Sequence, residues 1–154
     1  MVRGPYLVCA FRYQVKSKHD YVEACISCHL WSTLRDIMSV LIYHICRCDE
    51  WATAEQTGSY AGSSQDVADG FIHFSTAGQV RASAAKHRAG QTGLMLLSVD
   101  PVSLRDALKW EPSRGGQLFP HLYGPLPVSA VQWADALDLD ADGVHQFPDH
   151  VPGA

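Results

Sequence analysis

Three short apolar runs, well separated along the chain, each contain a histidine. They are residues 40–45 with His44, residues 71–74 with His73, and residues 119–123 with His121. Aliphatic and aromatic runs of this length indicate buried strands. A titratable imidazole in a buried strand needs a hydrogen-bonding partner or a functional role. Together with Glu111 in residues 109–112, the three histidines are predicted to line one pocket.

The size and composition indicate one globular domain. The chain has 154 residues, of which 47% are hydrophobic and 18% are charged, enough for one core but too few for two ordinary domains. No apolar run approaches the roughly 18–20 residues that a membrane-spanning helix needs. Lys16, Lys18 and Asp20 interrupt any hydrophobic signal segment. The expected location is therefore the cytoplasm.

The net charge of −4 disfavours nucleic-acid binding as the main role. The excess of basic residues is confined to residues 1–37, and the remainder of the chain is acidic. Binding to a phosphate backbone requires clustered lysine and arginine side chains. A small phosphorylated ligand, held by a few local donors, is compatible with this charge.

The five cysteines all lie within the first 48 residues. Because no signal peptide is evident, we interpret them as reduced thiols. The spacing of Cys25 with Cys28 and of Cys46 with Cys48 offers zinc ligation as an alternative. Only one residue separates the second pair, so we favour the thiol interpretation.

Three segments are predicted from the change in composition along the chain. Residues 1–37 form an N-terminal extension, in which residues 21–37 have the apolar spacing of a helix. This helix could pack on the domain, or Met38 could be the natural start of the protein, which is the interpretation we favour. Residues 38–138 form the main domain, and residues 139–154 form an acidic tail that we expect to be flexible.

From residue 40 onward, the sequence predicts six short strands and two or three helices. The strands are residues 40–46, 71–74, 93–99, 108–110, 118–123 and 128–134. Asp49 can begin a helix that stops at Gly58, and Thr76 can begin another that stops at Gly90. Asp100 can open a helical turn over residues 101–107, and residues 59–69 and 112–117 are predicted loops. This pattern indicates an α+β fold with a mixed or antiparallel sheet.

The segment around His73 is the strongest candidate for ligand binding. On a strand, His73 and Ser75 point to the same face. Thr76 then opens a helix whose first N–H groups lack partners within the helix. The imidazole, the hydroxyl and the helix N-terminus could together bind an anion or a ribose. The alternative is that Ser75 and Thr76 only cap the helix.

Three further segments carry candidate groups. Glu111 follows Trp110, which could desolvate the carboxylate, raise its pKa and suit it to proton transfer or hydroxyl binding; alternatively, it is an exposed residue at a strand end. His44 could contact the ligand or could be a hydrogen-bonded core histidine. His121 and Tyr123 share a face of a proline-stiffened segment that could form a pocket wall. The remaining histidines are interpreted as surface or tail residues: His19, His29, His87, His145 and His150.

Several common catalytic motifs are absent from the sequence. No serine lies in a Gly-x-Ser-x-Gly segment, and no cysteine has evident histidine and asparagine partners. Gly-x-Gly-x-x-Gly, the phosphate-binding loop and a His-x-x-x-His pair are also missing.

In four motifs, the sequence resembles DUF952, a bacterial family of unknown function. The motifs are residues 42–45 (IYHI), 69–76 (DGFIHFST), 108–112 (LKWEP) and 119–126 (FPHLYGPL). Their order and spacing match from about residue 40 to about residue 136. Residues 1–37 fall outside the resemblance.

The resemblance implies a fold like that of the ADP-ribosyltransferases, a split mixed or antiparallel sheet with a cleft for NAD. In that group, a residue on the first core strand contacts the dinucleotide and a second strand shapes the nicotinamide pocket. A glutamate binds a ribose hydroxyl and stabilises an oxocarbenium-like transition state. The corresponding positions here are His44, then His73 with Ser75 and Thr76, and finally Glu111. The FPHLYG segment has no counterpart in that signature.

The predicted function is ADP-ribosyl transfer or binding of an NAD-like nucleotide, with Glu111 and His73 as catalytic residues. The residues expected to bind NAD are His44, His73, Ser75, Thr76, His121 and Tyr123. We expect no metal, no nucleic-acid partner and no membrane, and the oligomeric state stays open. Two alternatives remain: a metal-dependent enzyme that uses the three strand histidines with Glu111, and a ligand-binding module without catalysis.

Overall fold

The computed structural model describes residues 41–113 and 115–152. The predictions for the N-terminal extension, its helix and the Met38 start lie outside the described residues. The same is true of Cys9, Cys25 and Cys28, so the zinc alternative for the cysteines is not addressed by the structure.

The described residues form an α+β fold, as predicted. The helices are α1 (Cys48–Thr57), α2 (Ser64–Asp69) and α3 (Ala77–His87), with 3₁₀ turns at Pro101–Ala107 and Val128–Ala130. The strands are β1 (Ile42–Arg47), β2 (Ser59–Tyr60), β3 (Ile72–His73), β4 (Ser75–Thr76), β5 (Leu94–Val99), β6 (Leu108–Pro112), β7 (Leu118–Leu122), β8 (Leu126–Pro127) and β9 (Val131–Leu137). Every strand pairing within the described ranges is antiparallel.

The strands form two main sheets that share one stretch of chain. One sheet has the order β4-β1-β5-β9, the other has the order β3-β7-β6, and β2 pairs separately with β8. β3 and β4 are separated only by Phe74, whose N–H donates to the Pro120 carbonyl oxygen at 2.9 Å. The chain therefore passes from one sheet to the other at Phe74. This crossing places the His73 segment beside β7.

Buried side chains cover both faces of the four-stranded sheet. Alternation along β1 sends Ile42 and Cys46 to one face and Tyr43 and Ile45 to the other. The first face packs against side chains from α1 and from the second sheet, including Trp51, Ile72, Phe74 and Leu122. The second face packs against α3 through Val80 and Ala84. Each such large apolar side chain contributes roughly 1.5–3 kcal/mol by leaving water.

The two longer helices begin and end close to where the sequence predicts. α1 stops at Gly58, whose φ of 79° is the left-handed conformation that glycine favours. Thr76 precedes α3, and its N–H donates to the Gln79 side chain at 3.0 Å. α3 ends at His87, with Arg88 as its C-cap, so the C-cap lies two residues before the predicted Gly90. Asp100 caps the turn at Pro101–Ala107 through the Val102 N–H, as predicted.

The predicted loop at residues 59–69 contains β2 and helix α2 instead. Ser63 begins α2, because its hydroxyl accepts from the Asp66 N–H while the Asp66 carboxylate accepts from the Ser63 N–H. Gly70 ends the helix in the left-handed conformation. A helix of six residues shows no apolar periodicity, which explains the wrong loop prediction.

The segment after β9 packs against the domain over part of its length. Val151 is 1% exposed and joins the core on the α3 face. His145, interpreted from the sequence as a surface or tail residue, lies in this segment but is buried, and its Nε2 lies 3.0 Å from the Gln91 carbonyl oxygen. A long-range contact therefore covers this side chain.

None of the helices in the described ranges is both long and apolar enough to cross a membrane.

Candidate functional site

The outer face of the β3-β7-β6 sheet brings two of the three strand histidines together. His73 on β3 is directly opposite His121 on β7, and Lys109 on β6 is opposite His121 on its other side. The His73 and His121 rings meet edge to face, with centroids 5.4 Å apart. We call this surface the histidine face; its members are Phe71, His73, Lys109, Glu111, His121 and Tyr123.

Phe71 supports both imidazoles of the histidine face. Its ring stacks on His121 with a centroid distance of 4.2 Å and lies 4.7 Å from the His73 ring. Tyr123 lies 5.4 Å from Phe71, and the Lys109 ammonium sits 4.3 Å above the Tyr123 ring. Aromatic and cation–π contacts of this kind fix ring orientations at a site that water can still reach.

Asp66 of α2 sets the orientation of His73. The carboxylate Oδ1 accepts from the His73 ring Nδ1 at 2.7 Å and from the His73 N–H at 3.1 Å. Because an ionised carboxylate can only accept, the proton of this bond belongs to Nδ1. The His73 ring therefore turns its Nε2 away from Asp66. This nitrogen lies 3.5 Å from Asp69 Oδ2. The His73 side chain is 44% exposed, so the ring is open to solvent.

Asp66 is buried but remains ionised. Burial alone would raise its pKa, but hydrogen bonds from His73 and Ser63 hold the pKa well below its usual value. The Ser63 hydroxyl donates to Oδ2 at 2.6 Å and the Ser63 N–H donates at 2.8 Å. The negative charge that orients His73 is therefore present throughout the neutral range.

Glu111 orients His121 in the same way that Asp66 orients His73. Nδ1 of His121 donates to Glu111 Oε2 at 2.8 Å, and the Tyr123 hydroxyl donates to the same oxygen at 3.0 Å. These two hydrogen bonds lower the pKa of Glu111. The expectation of a raised pKa is wrong, because Trp110 alternates to the opposite face of β6 and is itself 46% exposed.

His44 lies behind the histidine face, inside the core. Its Nδ1 lies 2.6 Å from the His73 carbonyl oxygen, and its Nε2 lies 3.2 Å from the Tyr60 hydroxyl. A carbonyl only accepts, so Nδ1 carries the proton of the first bond. Burial lowers the pKa of His44, although Asp66 partly opposes the effect. The ring is therefore neutral, and its 4% exposure limits it to holding the His73 backbone from below.

Ser75 and Thr76 lie on the other side of the crossing at Phe74. Both pair with β1 in the four-stranded sheet, whereas His73 pairs with β7. Ser75 is buried, and its hydroxyl donates to the Ser83 hydroxyl at 3.2 Å. The expectation that His73 and Ser75 share one face of a single strand is not met, because the chain changes sheets between them.

The sequence interpretation overlooked several residues of the site. The most important is Asp66, which lay in a predicted loop, followed by Tyr60, Asp69 and Lys109. One signal could have revealed Asp66: a serine three residues before an acidic residue is the pattern of a helix start. Nothing in the local sequence connects Asp66 to His73, because that contact depends on how α2 packs against β3.

Within residues 41–113 and 115–152, no three His, Cys, Asp or Glu side chains converge to hold a metal ion. The proposed set of His44, His73, His121 and Glu111 does not converge, since both nitrogens of His44 face partners in the core. Of the described cysteines, Cys48 is exposed and Cys46 is buried, with burial raising the pKa of the Cys46 thiol to about 12. Cys46 is therefore a protonated core side chain.

Comparison with known proteins places the chain among proteins of undetermined activity. The sequence model described as "Protein of unknown function (DUF952)" matches residues 45–134. The crystal structure of protein CC0527 from Caulobacter crescentus has 52% sequence identity, with a TM-score of 0.69. The match covers 72% of this chain and 97% of that one. The solution NMR structure of CC0527 has 52% identity and a TM-score of 0.65, covering 72% of this chain and 96% of that one. No curated protein matches the sequence.

Proposed function

We propose that this chain, which belongs to the DUF952 family, binds an NAD-like nucleotide on the histidine face and transfers or releases its ADP-ribosyl group. Glu111 is the catalytic carboxylate in this proposal. His73 and His121 contact the phosphate and ribose groups of the nucleotide, and Tyr123 borders the site. His44, Ser75 and Thr76 support the site from the adjoining core and sheet.

The two hydrogen bonds that the Glu111 carboxylate accepts from His121 and Tyr123 are the observation that supports the proposal most directly. Cleavage of the bond between nicotinamide and ribose develops positive charge on the ribose carbon, which a fixed carboxylate stabilises. The two donors, His121 and Tyr123, lower the pKa of Glu111 and hold its oxygens in place. A carboxylate in this state accepts a hydrogen bond from a ribose hydroxyl but is a poor proton donor. Glu111 therefore fits the stabilising role rather than that of a general acid.

The environment of the carboxylate suits a ligand that combines anionic and aromatic groups. Lys109 and the two histidines provide donors for phosphate oxygens, and Phe71 and Tyr123 provide aromatic surface near the donors. Nucleotides contain both kinds of group, whereas a simple phosphate is anionic but not aromatic and a simple sugar is neither.

The proposal is tested by titrating the purified protein with NAD and ADP-ribose in a calorimeter and by following nicotinamide release. A ligand of the folded state must also raise the melting temperature. Glu111→Gln keeps the shape of the side chain but removes the charge, and we expect nicotinamide release to fall about 100-fold or more. Glu55→Gln, an exposed position on α1, is the matched control and should retain full activity.

Three results would count against the proposal. Failure of both NAD and ADP-ribose to bind at millimolar concentration would exclude this nucleotide class. Unchanged nicotinamide release by Glu111→Gln would remove the role of the carboxylate. Tight binding without any turnover would instead favour the ligand-binding module.

A further inference from the structure

The side chains of His73 and His121, which are 44% and 13% exposed, share one hydrogen-bonding arrangement. Each ring donates its Nδ1 proton to a carboxylate, His73 to Asp66 at 2.7 Å and His121 to Glu111 at 2.8 Å. Each ring is thereby held with Nε2 directed away from its carboxylate. A histidine held in one tautomer by a carboxylate is prepared to accept or donate a proton at the other nitrogen.

The distance between the rings suits two proton transfers on one substrate. The centroids lie 5.4 Å apart, and the two residues are opposite each other on neighbouring strands. A tetrahedral phosphorus with its oxygens can contact both rings at once, one through the attacking oxygen and one through the leaving oxygen. Lys109, next to His121 across the sheet, adds a positive charge for the remaining oxygens.

We propose that His73 and His121 form a general acid–base pair that cleaves a ribonucleotide phosphodiester without a metal ion. This acid–base proposal rests on the proposed function because both place a nucleotide on the histidine face. It assigns a second reaction, which takes place at phosphorus rather than at the ribose carbon. The substrate class is a short 3′,5′-linked diester in which the neighbouring 2′-hydroxyl is the nucleophile.

The surroundings of the two rings assign the roles. His73 has a carboxylate within reach of both nitrogens, Asp66 at Nδ1 and Asp69 at 3.5 Å from Nε2. Two carboxylates therefore face the His73 ring, and we assign His73 the role of the acid. His121 has one carboxylate partner, Glu111, so it is the base.

The step conserves atoms and charge. His121 Nε2 removes the proton from the 2′-hydroxyl, and the 2′ oxygen forms a bond to phosphorus. The bond from phosphorus to the 5′ oxygen breaks, and His73 Nε2 gives its proton to that oxygen. The products are a 2′,3′-cyclic phosphate and a free 5′-hydroxyl, with the proton now on His121.

The charges on this surface limit the length of the substrate. The carboxylates of Asp66, Asp69 and Glu111 lie against the two rings, whereas Lys109 is the one lysine of the histidine face. Such a surface attracts long polyanions weakly. A diester with a single phosphate is therefore the preferred substrate over RNA.

The test uses the purified full-length chain with cytidylyl-(3′,5′)-adenosine in the presence of EDTA. We expect the cyclic phosphate and adenosine as products, with a rate that passes through a maximum as pH is varied. The 2′-deoxy analogue lacks the nucleophile and should not react. This comparison needs no variant, so it stands even if a substitution disturbs folding.

The variants His73→Asn and His121→Asn remove Nε2 but keep an amide N–H that can replace the Nδ1 donor. Each should lower the cleavage rate about 100-fold or more. His150→Asn is the matched control: His150 also lies beside a carboxylate, 3.1 Å from Asp135, but outside the histidine face. It should change the rate less than twofold.

The inference is wrong if the diester is not cleaved, if the deoxy analogue is cleaved equally well, or if both asparagine variants keep the wild-type rate. The last result would identify a contaminating ribonuclease. Loss of NAD binding with intact diester cleavage overturns only the proposed function. Intact NAD binding without diester cleavage overturns only the acid–base pair.

Discussion

Burial separates the roles of the histidines at the level of single residues. His44 is 4% exposed and has partners on both ring nitrogens, whereas the His73 side chain is 44% exposed and leaves Nε2 accessible. Both lie in short apolar runs that look alike in the sequence. Only the structure shows that the His44 ring contacts the His73 backbone while the His73 side chain is exposed to solvent.

The neutral state of His44 should make the stability of the protein depend on pH. The folded pKa of His44 is lowered, so the unfolded chain binds more protons below its own pKa of about 6.5. The contribution of His44 is present above that pH and is lost as pH falls toward the folded pKa. We expect the destabilisation caused by His44→Gln in urea unfolding to be smaller at pH 5.5 than at pH 7.5. A destabilisation that is equal at both pH values would contradict a neutral buried His44.

The contribution of Asp66 to stability should depend on pH in a lower range than that of His44. Its folded pKa lies well below the value of about 3.9 for an unfolded aspartate. The stability it provides is therefore complete above about pH 4 and is lost as pH falls through the folded pKa. We expect Asp66→Asn to cost about 1.5–3 kcal/mol at pH 7, because charged hydrogen bonds to His73 and Ser63 are lost. The free energy of unfolding at pH 7 and at pH 3 measures both effects, and the difference between variant and wild type should shrink at pH 3.

At the level of elements, Gly62 allows α2 to approach β3. Its φ is 96°, and a Cβ at this position would lie 2.7 Å from Asp66 Cβ and 3.2 Å from the Ile72 side chain. Gly62→Ala should therefore displace the helix that carries Asp66. Gly58→Ala is the control, because Gly58 has a similar φ of 79° but nothing within 4 Å. We expect Gly62→Ala to lower the free energy of unfolding by at least about 1 kcal/mol more than Gly58→Ala does. Equal losses of unfolding free energy in the two variants would mean that the close approach of Gly62 to Asp66 and Ile72 does not affect stability.

Elements that form through local interactions can be predicted from the sequence, whereas elements that depend on long-range packing cannot. α1 and the turn at Pro101–Ala107 carry their own start and stop residues, so the sequence predicts them well. β9 begins three residues later than predicted, because a 3₁₀ turn at Val128–Ala130 comes first. α2 depends on one capping pair and on packing against β3. Neither of these gives a periodic pattern in the sequence.

At the level of the whole molecule, the composition of the sheets could not be read from the strands. The sequence predicts most strands but not that the β3-β7-β6 sheet is separate from the four-stranded one. The pairing of His73 with His121 joins segments far apart in the chain, and alternation gives no information on which strands are neighbours. The structure places His73 beside His121 and leaves His44 in the core behind them, and the roles of all three are proposals.

The segment after β9 closes the core on the α3 face. Val151 is almost completely buried there, whereas Val144 in the same segment is 59% exposed. We expect Val151→Ala to lower the free energy of unfolding by about 1–3 kcal/mol, and Val144→Ala to change it by less than about 0.5 kcal/mol. Chemical denaturation of the two variants distinguishes a packed segment from a loosely attached one, in which both changes would be neutral.

The crossing at Phe74 determines how this protein can tolerate changes of length. The peptide segment from β3 to β4 belongs to two sheets, and its register is fixed separately in each by β7 and by β1. One added or deleted residue at this point would turn every side chain on one of the two strands to the opposite face. A substitution in this segment changes the packing of one side chain, whereas an insertion or deletion changes the register of a whole strand. Among natural relatives, we expect length variation to be concentrated in the loops and to be absent between His73 and Ser75.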